Sequence, residues 1–168
     1  MARTSVKVSG LGKLQKFLKR LKKPVDGKTA KKIGKETVVM MKSSVSKGLS
    51  PIKSRGRFKA YKKSYKDRIT RSKMFGKKLK PVNLKLSGTF LKQLTFKVRR
   101  GKFGSLPEIG FFKSYGIDLE QGHREGQNNQ EKRPIIPDTS SNENFSVKIT
   151  QMIRKEIKKA IDSFKKKS

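Results

Sequence analysis

Cysteine is absent from the 168-residue chain. This excludes disulfide bonds, thiolate metal sites and cysteine nucleophiles, and it fits a reducing compartment. The chain also has no run of about eighteen consecutive apolar residues, the length that a membrane-spanning helix needs. Residues 1–10 lack the apolar core of a secretory signal. We therefore expect a protein that is made and assembled in a cytoplasm and has no membrane partner.

Acidic side chains are scarce and unevenly placed. The chain has 45 Lys and Arg residues against 12 Asp and Glu residues, a net charge of +33. Residues 1–100 hold 32 basic and 3 acidic residues, a net +29, whereas residues 101–168 hold 13 and 9, a net +4. Such a positive field repels other copies of the chain unless something negative lies nearby. The composition therefore predicts nucleic acid, an acidic protein surface or anionic lipid as a partner.

Residues that could carry out chemistry are equally few. The only histidine, His123, lies in a polar stretch with no nucleophile and acid arranged around it. Asp118 and Glu120 form a close acidic pair, but a two-residue spacing points them apart on a helix. Residues 10–13 (GLGK) lack the rest of a phosphate-binding loop. We predict that the protein is not an enzyme and holds no metal and no cofactor.

Hydrophobic periodicity predicts helices and one hairpin. Residues 4–8 alternate like a short strand, and apolar residues between 11 and 21 follow one helical face up to Pro24. Asp26 is a candidate N-cap for a second helix that extends to Gly48. The apolar face of that helix contains Ala30, Ile33, Thr37, Val38, Val39, Met41 and Val45. Residues 95–99 and 109–111 alternate on either side of two turn glycines, which predicts a β-hairpin.

The clearest helical pattern is the last. Ser140 and Glu143 have the spacing of a capping box, and apolar residues then recur at four-residue steps from Phe145 to Ile161. The sequence therefore predicts a single α+β domain over residues 1–168, an antiparallel sheet packed by two or three amphipathic helices including a long C-terminal one. Within it, residues 47–80 form a basic loop excursion. Residues 122–137 form an extended polar loop that ends in the rigid segment RPIIP.

The basic excursion carries the predicted contact residues. Residues 47–80 hold 14 Lys and Arg residues and one acid, Asp67. The helical spacing of Phe58, Tyr61 and Tyr65 predicts that they anchor the segment to the core from one side; alternatively, they stack on single-stranded bases. The cations predicted to face DNA or an acidic partner are Lys53, Arg55, Arg57, Lys59, Lys62, Lys63, Lys66, Arg68, Arg71, Lys73, Lys77, Lys78 and Lys80. The hairpin loop adds Arg99, Arg100 and Lys102.

Several short motifs follow one another along the chain. They are Gly10-Leu11 before two helices, Ser50-Pro51-Ile52 before a tyrosine pair, KPVNLKLSGTFLKQL at residues 80–94, Ile109-Gly110-Phe111, an H-x-x-G element at His123 and RPIIP at residues 133–137. In this order the chain resembles the tail-completion or neck (head–tail connector) proteins of tailed bacteriophages, the virion-morphogenesis family of minor tail components. The resemblance covers about residues 6–164, and PVNLKLSG followed by RPIIP is its most specific part.

The resemblance implies a structural subunit of the virion, assembled in the host cytoplasm. Its partners would be copies of itself in a ring, the portal, adaptor or tail proteins, and packaged double-stranded DNA held by nonspecific phosphate contacts. A rigid extended segment loses little entropy on docking, so the expected subunit or neighbour contacts are His123, Arg133, Pro134, Ile135, Ile136 and Pro137. A stand-alone, sequence-nonspecific nucleic-acid-binding protein of ribosomal or nucleoid type explains the charge equally well. A cationic membrane-active protein fits less well, because the apolar helix faces are needed in the core.

Overall fold

The computed structural model describes residues 25–71, 82, 84, 89–101, 104–126, 131–138 and 142–166. Its elements in chain order are α1 (Gly27–Ser46), α2 (Lys63–Arg71), α3 (Thr89–Gln93), β1 (Thr95–Gly101), β2 (Gly104–Gly110), α4 (Ser114–Glu125) and α5 (Val147–Lys165). The strand and helix predicted over residues 4–8 and 11–21 lie outside the described residues. Helices combined with an antiparallel two-stranded sheet confirm the predicted α+β class.

Helix α1 forms as its sequence predicts. Thr29 N donates a 2.7 Å hydrogen bond to Asp26 Oδ1, which is the expected N-cap. The predicted apolar face is buried, including Met41 and Val45 with no exposed surface. Val39 is the exception, since 59% of it is exposed. The prediction for Val39 is wrong because the stripe in contact with the core is narrower than the run of apolar residues.

Strands β1 and β2 form the predicted hairpin. Thr95 pairs with Gly110 and Gly101 pairs with Gly104 in an antiparallel register. The hairpin packs on α1, and α1 also packs on α5. The Phe96 ring lies against Gly34, where an added Cβ would come within 2.4 Å of Phe96 Cδ2. The close approach of β1 to α1 therefore requires glycine at position 34.

The main core lies between α1, α5 and the connecting segments. Its fully buried side chains include Met41, Leu94, Ile135 and Ile149. A smaller cluster of Val25, Ala30 and Ile33 packs against the partly buried Val98, Ile153 and Ile157. The apolar stripe of α5 is thus shared between the two clusters, which joins the hairpin side of the molecule to the side that carries RPIIP.

Helix α5 begins later than the capping-box pattern predicts. It starts at Val147, beyond Glu143, and Ser140 lies outside the described residues. Phe145 instead forms an isolated antiparallel bridge with Ile52. The predicted cap is wrong because the Glu143 carboxylate accepts hydrogen bonds from two arginines of other segments. Hydrogen bonds between arginine and carboxylate, in which both groups are charged, are among the strong ones in proteins.

Helix α4 includes the start of the predicted polar loop. The extended loop predicted over residues 122–137 is wrong at its start, because α4 continues to Glu125. Gly126 then ends the helix in a left-handed conformation with φ 77°. The two glycines and the polar composition of this stretch favour a loop, but Gly122 is tolerated inside the helix. The last part of the predicted loop, residues 131–137, does lack helix and strand.

Candidate polyanion-binding cleft

The basic segment is fixed to the core by its few apolar residues. Ile52, Phe58 and Tyr61 are buried, and Tyr65 packs against the same core. The predicted anchoring role of the three aromatics is therefore confirmed. Their predicted helix is not, because Phe58 and Tyr61 lie in an irregular stretch that precedes α2.

Backbone pairing holds the segment in one place. Lys53 N donates to Asn144 O at 2.9 Å, and Phe58 N donates to Gly48 O at 2.8 Å. An isolated bridge also joins Leu49 to Arg57. Because these bonds and the buried anchors use the inner side of the chain, the charged side chains extend from the outer side.

Most of the described cations of the segment do point outward. Exposed residues are Lys53, Arg55, Arg57, Lys59, Lys62 and Lys63, and Lys66 is partly buried. Arg68 and Arg71 belong to α2, whereas Lys73, Lys77, Lys78, Lys80 and Lys102 lie outside the described residues.

Part of the segment forms one wall of a cleft of about 620 Å³. Its charged lining consists of the cations Arg55, Arg57, Lys59, Lys62, Lys132 and Arg133, with the carboxylates Glu125 and Glu131. The second wall comes from the end of α4 and the start of RPIIP. Lys132 was not among the contact residues predicted from the sequence. Lys132 is next to RPIIP in the sequence. This position predicts a place in the cleft only once it is known that RPIIP packs against residues 55–62.

Arg133 joins the two walls of the cleft. It is 3% exposed, and it donates to Glu131 O at 3.0 Å and to Lys59 O and Ala60 O at 3.3 Å. Its guanidinium lies 4.7 Å from the centre of the Tyr61 ring. Burial lowers the pKa of Arg133 from its ordinary value. Arg133 therefore positions the cleft, and its role differs from the predicted contact with a neighbouring subunit.

An ionic network sets the position of Arg55. Glu143 Oε1 accepts from Arg55 Nε at 2.8 Å and Arg55 Nη2 at 2.6 Å, while Oε2 accepts from Arg124 Nη1 at 3.3 Å and from Asp138 N at 3.1 Å. Burial opposes the ionisation of Glu143, but the bonds from Arg55 and Asp138 outweigh it and hold the pKa of Glu143 below its usual range. The network connects the basic segment to α4 and to the residues that precede α5.

RPIIP is tied to α4 and is mostly buried. Glu120 Oε1 accepts from Ile135 N and from Ile136 N, both at 2.9 Å. Burial raises the pKa of Glu120 to about 7. Pro134 and Ile135 are fully buried, which corrects the prediction that they contact a neighbouring subunit. Ile136 and Pro137 are partly exposed, so their predicted contact stays open.

The side chain of His123 and the hairpin arginines do not line the cleft. His123 is on α4, where its Nδ1 lies 2.7 Å from Leu119 O and its ring stacks on Phe90 at 4.8 Å. His123 therefore lies on a helix and not in the predicted loop, and its expected contact with a subunit or neighbour stays a prediction. Arg99 and Arg100 are exposed on β1, and Arg99 pairs with Glu108 on β2. Neither arginine lines the cleft.

Neither a group of metal ligands nor a membrane-spanning helix is found among the described residues. Within them, no three His, Asp or Glu side chains are grouped as metal ligands. None of the described helices is both long enough and apolar enough to cross a membrane. The chain matches no protein-family model, no curated protein and no solved structure.

Proposed function

We propose that this chain is a structural subunit of a neck or tail-completion ring in a tailed bacteriophage. In this role it joins the portal side of the head to the tail and surrounds the DNA channel. Its partners are copies of itself, the portal, adaptor or tail proteins, and packaged DNA held by nonspecific contacts. The assembled protein resides in the virion.

The observation that carries this proposal is the cleft. Six cations and two carboxylates line it, and buried side chains of the same segments hold its walls in place. Preorganised cations bind phosphates without reading base sequence, because phosphate positions are the same for every sequence. Contacts of this kind suit a subunit that surrounds packaged DNA.

Three of the motifs that carry the resemblance meet next to this cleft. Ser50 Oγ donates to Pro134 O at 3.4 Å, and Arg133 N donates to His123 O at 2.6 Å. The Ser-Pro-Ile, H-x-x-G and RPIIP elements are far apart in sequence, yet they form one neighbourhood. Val82 and Leu84 of PVNL are buried in the main core. Because these motifs are close in space, we treat them as one pattern of the family.

The first experiment measures the mass of the purified protein by light scattering over a salt series, with and without short duplex DNA. A discrete ring-sized oligomer, formed alone or on DNA, is the expected result. A protein that stays monomeric in every condition, with and without DNA, contradicts the ring.

A second experiment tests the cleft. Replacing Arg57, Lys59 and Lys62 by glutamine is expected to reduce the slope of log binding constant against log salt by roughly 3, about 0.9 for each lost phosphate contact. The matched control replaces three exposed lysines of α5: Lys148, Lys155 and Lys158. If the two triple variants change the slope equally, the charge of the whole protein binds DNA and the cleft has no special part.

One observation favours a different function, a stand-alone, sequence-nonspecific nucleic-acid-binding protein. The cleft is built entirely from one chain and needs no second copy to form. This alternative predicts a monomer that binds duplex DNA tightly at low salt, releases it at high salt and never forms a discrete oligomer.

A further inference from the structure

A second concave surface lies on the hairpin side of the molecule. It is a groove of about 640 Å³ between α1 and β1, lined by Lys31, Lys32, Lys35, Phe96 and Val98. Phe96 and Val98 form an apolar floor and remain only partly buried, while the three lysines are exposed at the rim. Lys32 pairs with Glu156 at 2.8 Å. Among the described residues, Lys31 and Lys35 have no ion-pair partner.

Helix α4 presents the opposite chemistry. Its three carboxylates, one arginine and neutral histidine give it a net charge of −2, whereas each of the other described helices is net positive. Ile117 is 48% exposed, and Asp118 and Glu125 are exposed on the same side of the helix. An exposed face that combines apolar and acidic side chains is unusual in a chain with a net charge of +33.

The two surfaces match in polarity and charge. We propose that the exposed face of α4 in one copy docks into the α1–β1 groove of the next copy, with Ile117 against Phe96 and Asp118 against Lys35. The inference rests on the ring proposed above and names its subunit interface. The groove and α4 share no residue, so one copy can use both surfaces at once.

Contacts of this head-to-tail type generate a ring when the rotation between copies closes. Electrostatic complementarity also explains how copies with so high a positive charge can associate. The repulsion between them is offset where a negative helix meets a positive groove, and like-charged arrangements are disfavoured. A second copy is favoured over an unrelated acidic partner because this chain itself supplies the fitting acidic and apolar face.

Charge reversal tests the pairing directly. Lys35→Glu alone places two negative side chains at the interface, and Asp118→Lys alone places two positive ones. Each single variant is expected to weaken self-association about tenfold or more. Mixing the two variants restores opposite charges at every interface of an alternating ring, so the mixture is expected to assemble like the wild type. Both side chains are exposed, so neither change removes a buried contact.

Disulfide trapping gives an independent measurement, because the chain has no cysteine of its own. A protein carrying both Lys35→Cys and Asp118→Cys is expected to form a ladder of cross-linked multimers under mild oxidation. The matched control carries Lys158→Cys with Asp118→Cys, which places the first cysteine on α5 outside the groove. A ladder as strong in the control as in the test protein overturns the interface, as does its absence from both.

The outcomes separate this inference from the function on which it rests. If the wild-type protein stays monomeric in all conditions, the ring and the interface fall together. If the wild type assembles but both single variants also assemble normally, or mixing does not rescue them, the ring stands and the α4–groove contact is wrong. If only Lys35→Glu impairs assembly, the groove receives an acidic surface other than α4, which also overturns the proposed pairing.

Discussion

Replacing the buried carboxyl of Glu120 by an amide should change how the stability of the protein depends on pH. Glu120 is 8% exposed, and its Oε1 accepts two backbone hydrogen bonds from RPIIP. Its Oε2 is buried without a hydrogen-bond partner. Arg124 Nη2 is the nearby cation, 3.7 Å from Oε1, and Glu143 is the nearby carboxylate. Burial is the largest influence and raises the pKa of Glu120 to about 7.

The direction and size of the effect follow from proton linkage. The pKa of Glu120 is about 7 in the folded protein against an ordinary value of 4.5. Between these values the folded state binds more protons than the unfolded state, so the free energy of unfolding falls as pH rises. At about 1.4 kcal/mol per pKa unit, the loss between about pH 5 and about pH 8 is about 2 to 3 kcal/mol. Glu120→Gln keeps an acceptor oxygen and has no proton to lose.

The assay is urea unfolding of the wild type and of Glu120→Gln at about pH 5 and about pH 8. The stability of the variant relative to the wild type should increase by about 2 to 3 kcal/mol between the two values of pH. Any constant cost of the substitution cancels in this difference. Glu125→Gln removes an exposed carboxylate from the same helix and is the matched control. If the relative stability of Glu120→Gln changes by less than about 0.5 kcal/mol, the pKa of Glu120 is not raised by burial.

Two further predictions concern the packing and capping of α1. Gly34→Ala is expected to destabilise the protein by about 1–3 kcal/mol in urea unfolding, because the new Cβ would overlap the Phe96 ring. Gly27→Ala is its control, since the nearest atom lies 3.9 Å from the added Cβ; equal midpoints for the two variants contradict the close packing. Asp26→Ala should cost about 1 kcal/mol of stability through loss of the N-cap, and Asp26→Asn should retain most of it. If both substitutions at position 26 cost the same, the cap is not the cause.

Local signals predict the elements whose structure depends on near neighbours. In α1, the cap at Asp26 and the buried face from Ala30 to Val45 are set within the helix, and both are confirmed. The hairpin follows from alternation and turn glycines. Val39 was predicted to be buried and is not, because periodicity does not determine how wide a strip of the helix the neighbouring elements cover.

Distant contacts account for the predictions that are wrong. Glu143 has the spacing of a cap, but its carboxylate binds Arg55, which is 88 residues away in sequence. RPIIP has the composition of a rigid exposed segment, yet Glu120 and the core hold Pro134 and Ile135 in the interior. Local residue spacing predicts neither of these contacts, because each depends on which segments the fold brings together.

The candidate cleft likewise combines features that the sequence predicts with features that depend on the fold. Charge and hydrophobic spacing are properties of the chain, so the amino-acid sequence predicts the positive charge, the outward cations and the aromatic anchors of residues 47–80. The fold alone brings Lys132 and Arg133 together with Arg57 and Lys59 in one cleft. Contacts between segments that are remote in sequence decide where each charged side chain lies. They also decide whether it is buried or exposed to solvent.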